Sequence, residues 1–267
     1  NQEVKKFLIF NSKFLILSAG GMTYPALGSN GSGFELAKSV GHTIVEPVPS
    51  ALPLTSKNRF CHELQGVKIE AEVTSVINGK EIKKSTDEVM FTQYGLSGPA
   101  ILNISREISI HINRENKGGV KIKLNFLPDK NKDQVIELLK KRWEKRKDQS
   151  LEMSLTGLFP MKFPISLLRE INLDPKIKVS DIDSQTLEML GKSLTEYSIE
   201  ITGTRGWNEA EFTTGGINPK EVEESSLRSK IIPGLYFCGE ILDVDGDVGG
   251  YNLSWAWASG FVAGALK

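Results

Sequence analysis

Gly249-Gly250-Tyr251-Asn252 stands directly ahead of a run of apolar and small residues, Leu253 to Leu266, that reads as a helix. The first turn of a helix leaves N–H groups unpaired and carries partial positive charge. Two glycines let a flat or anionic ligand approach that main chain closely. A redox ring that gains negative charge on reduction is such a ligand, and the amides would stabilise its charge. A plain strand–turn–helix connection accounts for the same four residues, so the motif does not decide by itself. Just upstream, Leu235-Tyr236-Phe237-Cys238 reads as a short buried strand running into Gly239-Glu240. Glu240, Asp243, Asp245 and Asp247 crowd the loop that follows. A carboxylate at the carboxyl end of a strand is placed to accept hydrogen bonds from ribose-type hydroxyls. The aspartate spacing also fits the first half of a calcium loop. However, Val248 stands where that loop needs glycine and Ser254 where it needs a bidentate glutamate.

A second candidate lies near the other end. Phe14 to Ala19 is a short run ending in Gly20-Gly21, which suits a strand buried on both faces. Tyr24-Pro25 and the loop Gly28-Ser29-Asn30-Gly31-Ser32-Gly33 follow. That loop matches neither the dinucleotide fingerprint nor the Walker spacing. Ser32 and Glu35 fit a capping box, predicting a short helix that stops at Gly41.

Other residues carry less. Ser97, in Tyr94-Gly95-Leu96-Ser97-Gly98-Pro99, lacks the elbow of a nucleophilic serine. His42, His62 and His111 are scattered, and Lys141 to Lys147 reads as the solvated face of a helix. Cys61 and Cys238 are far apart and in no ligand spacing, which suits a reducing cytoplasm.

The elements that would position these residues follow from periodicity. Lys5 to Leu17 resembles a leader, but Asn11-Ser12-Lys13 splits its apolar stretch and predicts a hairpin instead. Prolines 47, 49 and 53 mark a crossing into another domain. Residues 55–126 alternate as strands, with a hairpin turn at Ile77-Asn78-Gly79-Lys80. Residues 129–200 turn helical, with Val135, Leu138, Leu139 and Trp143 on one face, then Leu167, Leu168, Leu187, Leu190 and Leu194. This gives an α/β domain in two pieces, 1–46 and 204–267, interrupted by an insertion over 47–203. With 33 basic and 33 acidic residues, the chain lacks the overall charge of a nucleic-acid or anionic-membrane binder. The expectation is a cytoplasmic protein with a small-molecule substrate and neither nucleic-acid nor membrane partners.

Four blocks together resemble the BaiN-like, or YhiN-type, flavoproteins, which include aminoacetone oxidases: residues 17–33, 91–100, 212–217 (Phe-Thr-Thr-Gly-Gly-Ile) and 234–260. They occur in the family's order and cover nearly the whole chain. The resemblance implies a Rossmann-like FAD-binding domain interrupted by a β-barrel-like part and a helical part. It implies that Gly239, Glu240, Asp243, Gly250, Tyr251 and Asn252 lie along the flavin, with Gly20, Gly21, Tyr24 and the 28–33 loop on its other side. Flavin-mediated hydride transfer is the implied reaction, with NAD(P) as an electron donor compatible with it. Two departures stand out. The family opens with a strand, a Gly-x-Gly-x-x-Gly turn and a helix that hold the pyrophosphate, and these are absent here. A truncated chain that binds FAD poorly by itself is therefore expected, with the missing segment encoded upstream. Gln93 stands where the family usually has histidine, and if that histidine moves a proton Gln93 cannot replace it. A degenerate, non-catalytic scaffold is the alternative that these departures raise.

Overall fold

The computed structural model describes residues 11–265. The chain divides into two compact units, Asn1–Pro47 with Phe212–Lys267, and Val48–Glu211. The first unit begins with β1 (Leu15–Leu17), α1 (Ser32–Ser39) and β2 (Ile44–Ser50), which runs across the boundary. The second holds β3 (Leu54–Thr55), α2 (Arg59–Glu63), β4 (Lys68–Ile77), β5 (Lys80–Thr92), β6 (Gly95–Ser97), α3 (Pro99–Ser109) and β7 (Val120–Asn125). It continues through α4 (Lys132–Trp143), α5 (Leu151–Ser154), α6 (Lys162–Glu170), α7 (Ser184–Thr195), β8 (Tyr197–Ile201) and β9 (Gly203–Thr204). The chain then returns to the first unit with β10 (Phe212–Ile217), β11 (Leu235–Phe237) and α8 (Tyr251–Gly264).

The second unit is built on one antiparallel sheet in the order β8-β7-β4-β5-β6-β3-β9. Only Thr202 separates β8 from β9, so the two ends of that order are one stretch of chain and the sheet closes on itself. The seam is bonded: Thr202 N–H donates to Thr55 O at 2.8 Å, and Ser56 Oγ donates to Glu200 O at 2.6 Å. Alternation fills the inside, with Ile69, Ala71 and Val73 from β4, Ile122 and Leu124 from β7, and Ile199 from β8 all buried. The β4–β5 turn has Asn78 at φ 51° and Gly79 at φ 81°, the paired positive values that a tight two-residue hairpin needs. Phe60 of α2 meets Phe91 and Phe163 edge-on at 5.7 and 5.8 Å, joining barrel to helices. Beside the barrel, α4 starts on a capping box between Asn131 and Gln134, and the Asp183 side chain caps α7. Gly191 lets these two helices meet closely, since a methyl there would lie 2.8 Å from Ile136 Cγ1.

The first unit has its own core, in which Phe34 and Ala37 of α1 pack with Ile217, Phe237, Ile241 and Ala263. β1 pairs with β11 in parallel, Leu15 against Leu235 through Leu17 against Phe237, and β2 pairs with β10.

Three expectations are corrected. The capping box of Ser32 and Glu35 does not form: Gly31 at φ 74° precedes the helix, and the Asn30 side chain takes the Ser32 N–H at 3.0 Å. The stretch of alternating strands contains a helix, α3, because Ala100, Ile101, Ile104 and Ile108 are buried at helical spacing despite their β-prone types. The helical stretch ends in a strand: β8 leaves the helices and completes the barrel. Of the predicted N-terminal hairpin, residues 7–10 lie outside the described residues, while Leu15–Leu17 forms β1. No helix among the described residues is long and apolar enough to cross a membrane.

Glycine at position 95 is demanded by contact. It has φ 145°, and an added Cβ would lie 2.3 Å from Leu54 O. Gly66, at φ 82°, has nothing nearby. Gly66→Ala is expected to cost about 1–2 kcal/mol from the left-handed backbone alone. Gly95→Ala should cost about 3 kcal/mol or more, because backbone must shift as well. Urea unfolding of the two variants checks the difference.

Candidate functional site

Because β1 and β11 are parallel, both end at the same side of the first unit, β1 running into Gly20-Gly21 and β11 into Gly239-Glu240. The crevice outside the carboxyl ends of parallel strands is where such folds receive ligands. The two turns are tied together by a third segment, β10. Met22 N–H donates to Thr213 Oγ1 at 2.8 Å, and Thr213 N–H donates to Glu240 Oε1 at 2.5 Å. Ser29 Oγ closes the loop onto Gly21 O at 2.9 Å. A Cβ at Gly21 would lie 2.2 Å from Thr213 Oγ1 and 2.6 Å from Glu240 Oε1, so only glycine fits. One Glu240 oxygen is therefore committed to the protein's own main chain.

α8 is held along its body and at its start by different sets of bonds. The Gly239 N–H donates to Ser259 Oγ at 2.9 Å, and its carbonyl accepts from Trp255 Nε1 at 3.2 Å. The Asn252 side chain clamps Gly246 in both directions, accepting from its N–H at 2.9 Å and donating to its carbonyl at 3.0 Å. Thr214 Oγ1 donates to Asp245 Oδ2 at 2.6 Å, and Asp243 N–H donates to Ile217 O at 3.0 Å. The acidic loop is thus pinned at several points. Gly250 precedes the helix at φ 89°, and Gly20 has φ 71°; an added Cβ at either would meet nothing within 4 Å. Space is thus left at Gly20 and Gly250, while the Tyr251 ring lies against Gly249 and Thr213 against Gly21.

The structure thus brings Gly20, Gly21, Gly239 and Glu240 to one corner, and joins Gly250, Tyr251 and Asn252 to it through α8. Asp243 is half-buried in the connecting loop, and the rings of Tyr24 and Tyr251 are exposed. Thr213 and Thr214, both buried in β10, were not singled out from sequence although they carry the network. Their signal was the following Gly215-Gly216. A Cβ at Gly215 would lie 2.7 Å from Glu46 O, and one at Gly216 would lie 2.6 Å from Ile241 O. A strand so tightly threaded places its neighbours without freedom.

Other clusters serve the fold. His42 Nε2 lies 2.8 Å from Ser229 Oγ, and Nδ1 lies 3.2 Å from Glu221 Oε2. Ser229 Oγ accepts the N–H groups of Ile231 and Ile232, so its own hydrogen goes to His42 and the Nδ1 hydrogen to Glu221. This has the bond order of a hydrolytic triad, but Ser229 is buried, so the arrangement clasps the fold rather than attacking a substrate. A cavity of about 450 Å³ lies beside it, lined by Met22, Asn30, Gly31, Phe34, Lys38 and His42, so the 28–33 loop forms part of its wall. Burial pushes the Cys61 thiol up to about 12 and also raises that of Cys238, which disfavours the thiolate at both. In the second unit, Ser97 is buried, and Arg205 lies 4.6 Å over the Tyr94 ring while pairing with Glu209. Gln93 beside it is exposed.

A closed antiparallel barrel with a helical attachment, carried between two halves of an α/β unit with an open glycine corner, defines the class of protein. Residues 48–212 match the HI0933-like protein barrel and H2TH domain. The chain belongs to the HI0933-like family. It is 33% identical over 255 residues to a 3-dehydro-bile acid delta(4,6)-reductase of Clostridium scindens, covering 96% of this chain and 62% of the relative. It is 30% identical over 245 residues to a ribosomal RNA dihydrouridine synthase of Escherichia coli, covering 92% and 58% respectively. A third relative, the Haemophilus influenzae protein of the same name, is 29% identical over 269 residues, covering 98% and 63%. The chain therefore spans about three-fifths of the length of these relatives.

Two outcomes follow. Thr213→Val leaves the half-buried Met22 N–H without its acceptor and should cost about 1 kcal/mol, whereas Thr213→Ser keeps the acceptor and should cost less, as read by urea unfolding. Burial alone would raise the Glu221 carboxyl, but the Thr43 main chain and His42 outweigh it and hold it below its ordinary value. The stability it contributes is present above pH 4.5, its ordinary value, and is lost as pH falls through the lowered one. Glu221→Gln should therefore flatten the acid side of a plot of unfolding midpoint against pH.

Proposed function

We propose that this chain is the larger part of an FAD-dependent oxidoreductase, a Rossmann-like cofactor unit interrupted by the barrel and its helices, acting on a small organic substrate. The observation that carries the reading is the open main chain at Gly20 and Gly250, backed by the fixed Gly21–Thr213–Glu240 network. The BaiN-like, YhiN-type blocks at 17–33 and 234–260 contain both parts of it. The relative named as a reductase supports redox chemistry, while the substrates in the relatives' names, a bile acid and ribosomal RNA, are too unlike each other to transfer.

The residues present suit the cofactor. The amides that open α8 at Gly250, Tyr251 and Asn252 would face the ring, and Asp243 and the remaining oxygen of Glu240 would meet its hydroxylated chain. Gly20, Gly21 and Tyr24 would approach from the other side. Bound FAD supplies two-electron transfer to or from the substrate. The chain's own contribution is electrostatic and positional. The α8 amides favour negative charge at their end, and the Asn252–Gly246 clamp keeps that turn from collapsing onto them. The Thr213–Glu240 bond fixes the facing turn.

The whole reading frame that contains this chain should give yellow protein with stoichiometric flavin. In that protein, Gly250→Val, which puts a side chain over the open amides, should lower flavin affinity by about tenfold or more, roughly 1.4 kcal/mol. A folded but colourless product would favour the non-catalytic scaffold instead.

A further inference from the structure

Balanced charge over the whole chain conceals one unbalanced stretch. On the barrel, cations and carboxylates pair across the surface: Lys68 with Glu88, Lys84 with Glu72 and Lys123 with Glu81. From Lys140 to Lys147, by contrast, six of eight residues are Lys or Arg, and Glu144 is the single acid. Lys141 pairs with Glu137, and Arg142 turns to the carbonyls of Ser154 and Thr156 at 2.6 and 2.5 Å. Lys140, Lys145, Arg146 and Lys147 pair with no carboxylate among the described residues. α4 ends at Trp143, so the helix terminus favours the cations of its last turn but not those at 145–147 beyond it. There like charges crowd one another without that compensation. Burial, and after it the Arg146 charge, hold the Arg142 guanidinium below its ordinary value.

The fold enlarges the cluster. Ser150 bridges to Lys178, Val179 N–H donates to Gln149 O at 3.1 Å, and Ser180 N–H donates to Lys147 O at 3.2 Å. Lys178, distant in sequence, is thereby brought to the same end of the helical part, and it is exposed. Where α4 approaches α7, a groove of about 510 Å³ has Lys140, Lys147 and Ser184 on its walls. Of its two acids, Asp183 is committed to the Thr186 N–H, which leaves Glu144. None of the large apolar side chains that stand exposed falls within 140–150 or 176–184, and Trp143 is buried.

That composition selects the partner. Protein interfaces centre on aromatic and apolar residues and are poor in lysine. Binding at a membrane surface adds an inserted apolar face to its cations. A sugar–phosphate backbone asks only for cations and hydroxyl or amide donors. We infer that the Lys140–Lys147 segment, with Lys178 and the Ser184 hydroxyl, is a binding surface for a nucleic-acid backbone, held through its phosphates without regard to base sequence. This goes beyond the redox reading and makes no use of bound flavin.

The test titrates the product of the whole reading frame against a short fluorescent RNA duplex of arbitrary sequence, read by anisotropy between about 50 and 200 mM salt. Lys140→Gln, Lys145→Gln, Arg146→Gln and Lys147→Gln together should weaken binding about tenfold or more at the lower salt. They should also take about 3 from the slope of log K against log salt, close to one per cation. Lys145→Gln with Lys147→Gln, both off the helix, should take about half of that, and this pair carries the test if the fourfold variant melts early. A control removes the same charge elsewhere: Lys121→Gln, Lys130→Gln, Lys162→Gln and Lys192→Gln, all at exposed positions, should change the slope by less than about 1. A duplex of unrelated sequence should bind as tightly. Equal loss in the two fourfold variants would overturn the inference by reducing it to net charge. So would a parent protein without salt-dependent affinity for the duplex, or one that binds vesicles of phosphatidylserine and phosphatidylcholine as tightly as RNA. Flavin absorbance of the same samples reports separately: a colourless protein that binds the duplex would sink the cofactor reading and leave this one standing, and a yellow one that ignores it would do the reverse.

Discussion

The bond from the Thr213 N–H to the Glu240 carboxylate is the constraint on which the first unit turns. It joins the strand returning from the barrel to the turn after β11, and the Thr213 hydroxyl extends it to Met22 after β1. Segments nearly two hundred residues apart in sequence thereby meet at one point. A carboxylate accepting a main-chain N–H is a charge-assisted bond, stronger than a neutral one. Its cost is that one oxygen of Glu240 is no longer available to a ligand. Glu240 is in part a positioning residue, and the open amides it helps to place are what a ligand would meet.

The two units differ in how they are held. The barrel is closed, its seam is hydrogen bonded, and its aromatic cluster and helices complete a core within Val48–Glu211. Closure removes strand edges, so nothing further is required of it. The first unit rests on short parallel strands and a helix whose buried surface is small. Its internal order comes from polar ties as well as from its core: Asn252 to Gly246, Gly239 to Ser259 and Trp255, and His42 to Ser229 and Glu221.

Much of this was legible in sequence, for reasons that separate local from distant causes. The Asn78-Gly79 turn, the stop of α1 before Gly41 and the start of α8 after Gly250 are dictated by neighbours in the chain, and they read correctly. The start of α1 misled because Asn30 and Ser32 both suit a cap, and the backbone at Gly31 gave the place to Asn30. α3 was hidden because isoleucines at helical spacing also satisfy strand preference, and only burial against the barrel decides between them. β8 was hidden because its partner, β7, is distant in sequence. The role of Thr213 was legible only in part for the same reason: Gly215-Gly216 marks a tightly threaded strand, but only the fold brings Met22 to the Thr213 hydroxyl.

The glycines separate what the fold needs from what it leaves open. Gly21, Gly215 and Gly216 are fixed by contact, each leaving no room for a methyl, and a scaffold with no ligand would need them equally. Gly20 and Gly250 differ from these, since a side chain at either would meet nothing within 4 Å. Their positive φ is a backbone choice made at an open surface, where a polar αL-tolerant residue such as asparagine would serve the turn almost as well. Asn78 and Asn116 hold φ 51° and 52° elsewhere in this chain. Open space at a positive-φ glycine is shared by Gly28, Gly66 and Gly79, so it does not mark a site by itself; what sets the other two apart is position, Gly20 following β1 next to the Gly21–Thr213–Glu240 network and Gly250 opening α8.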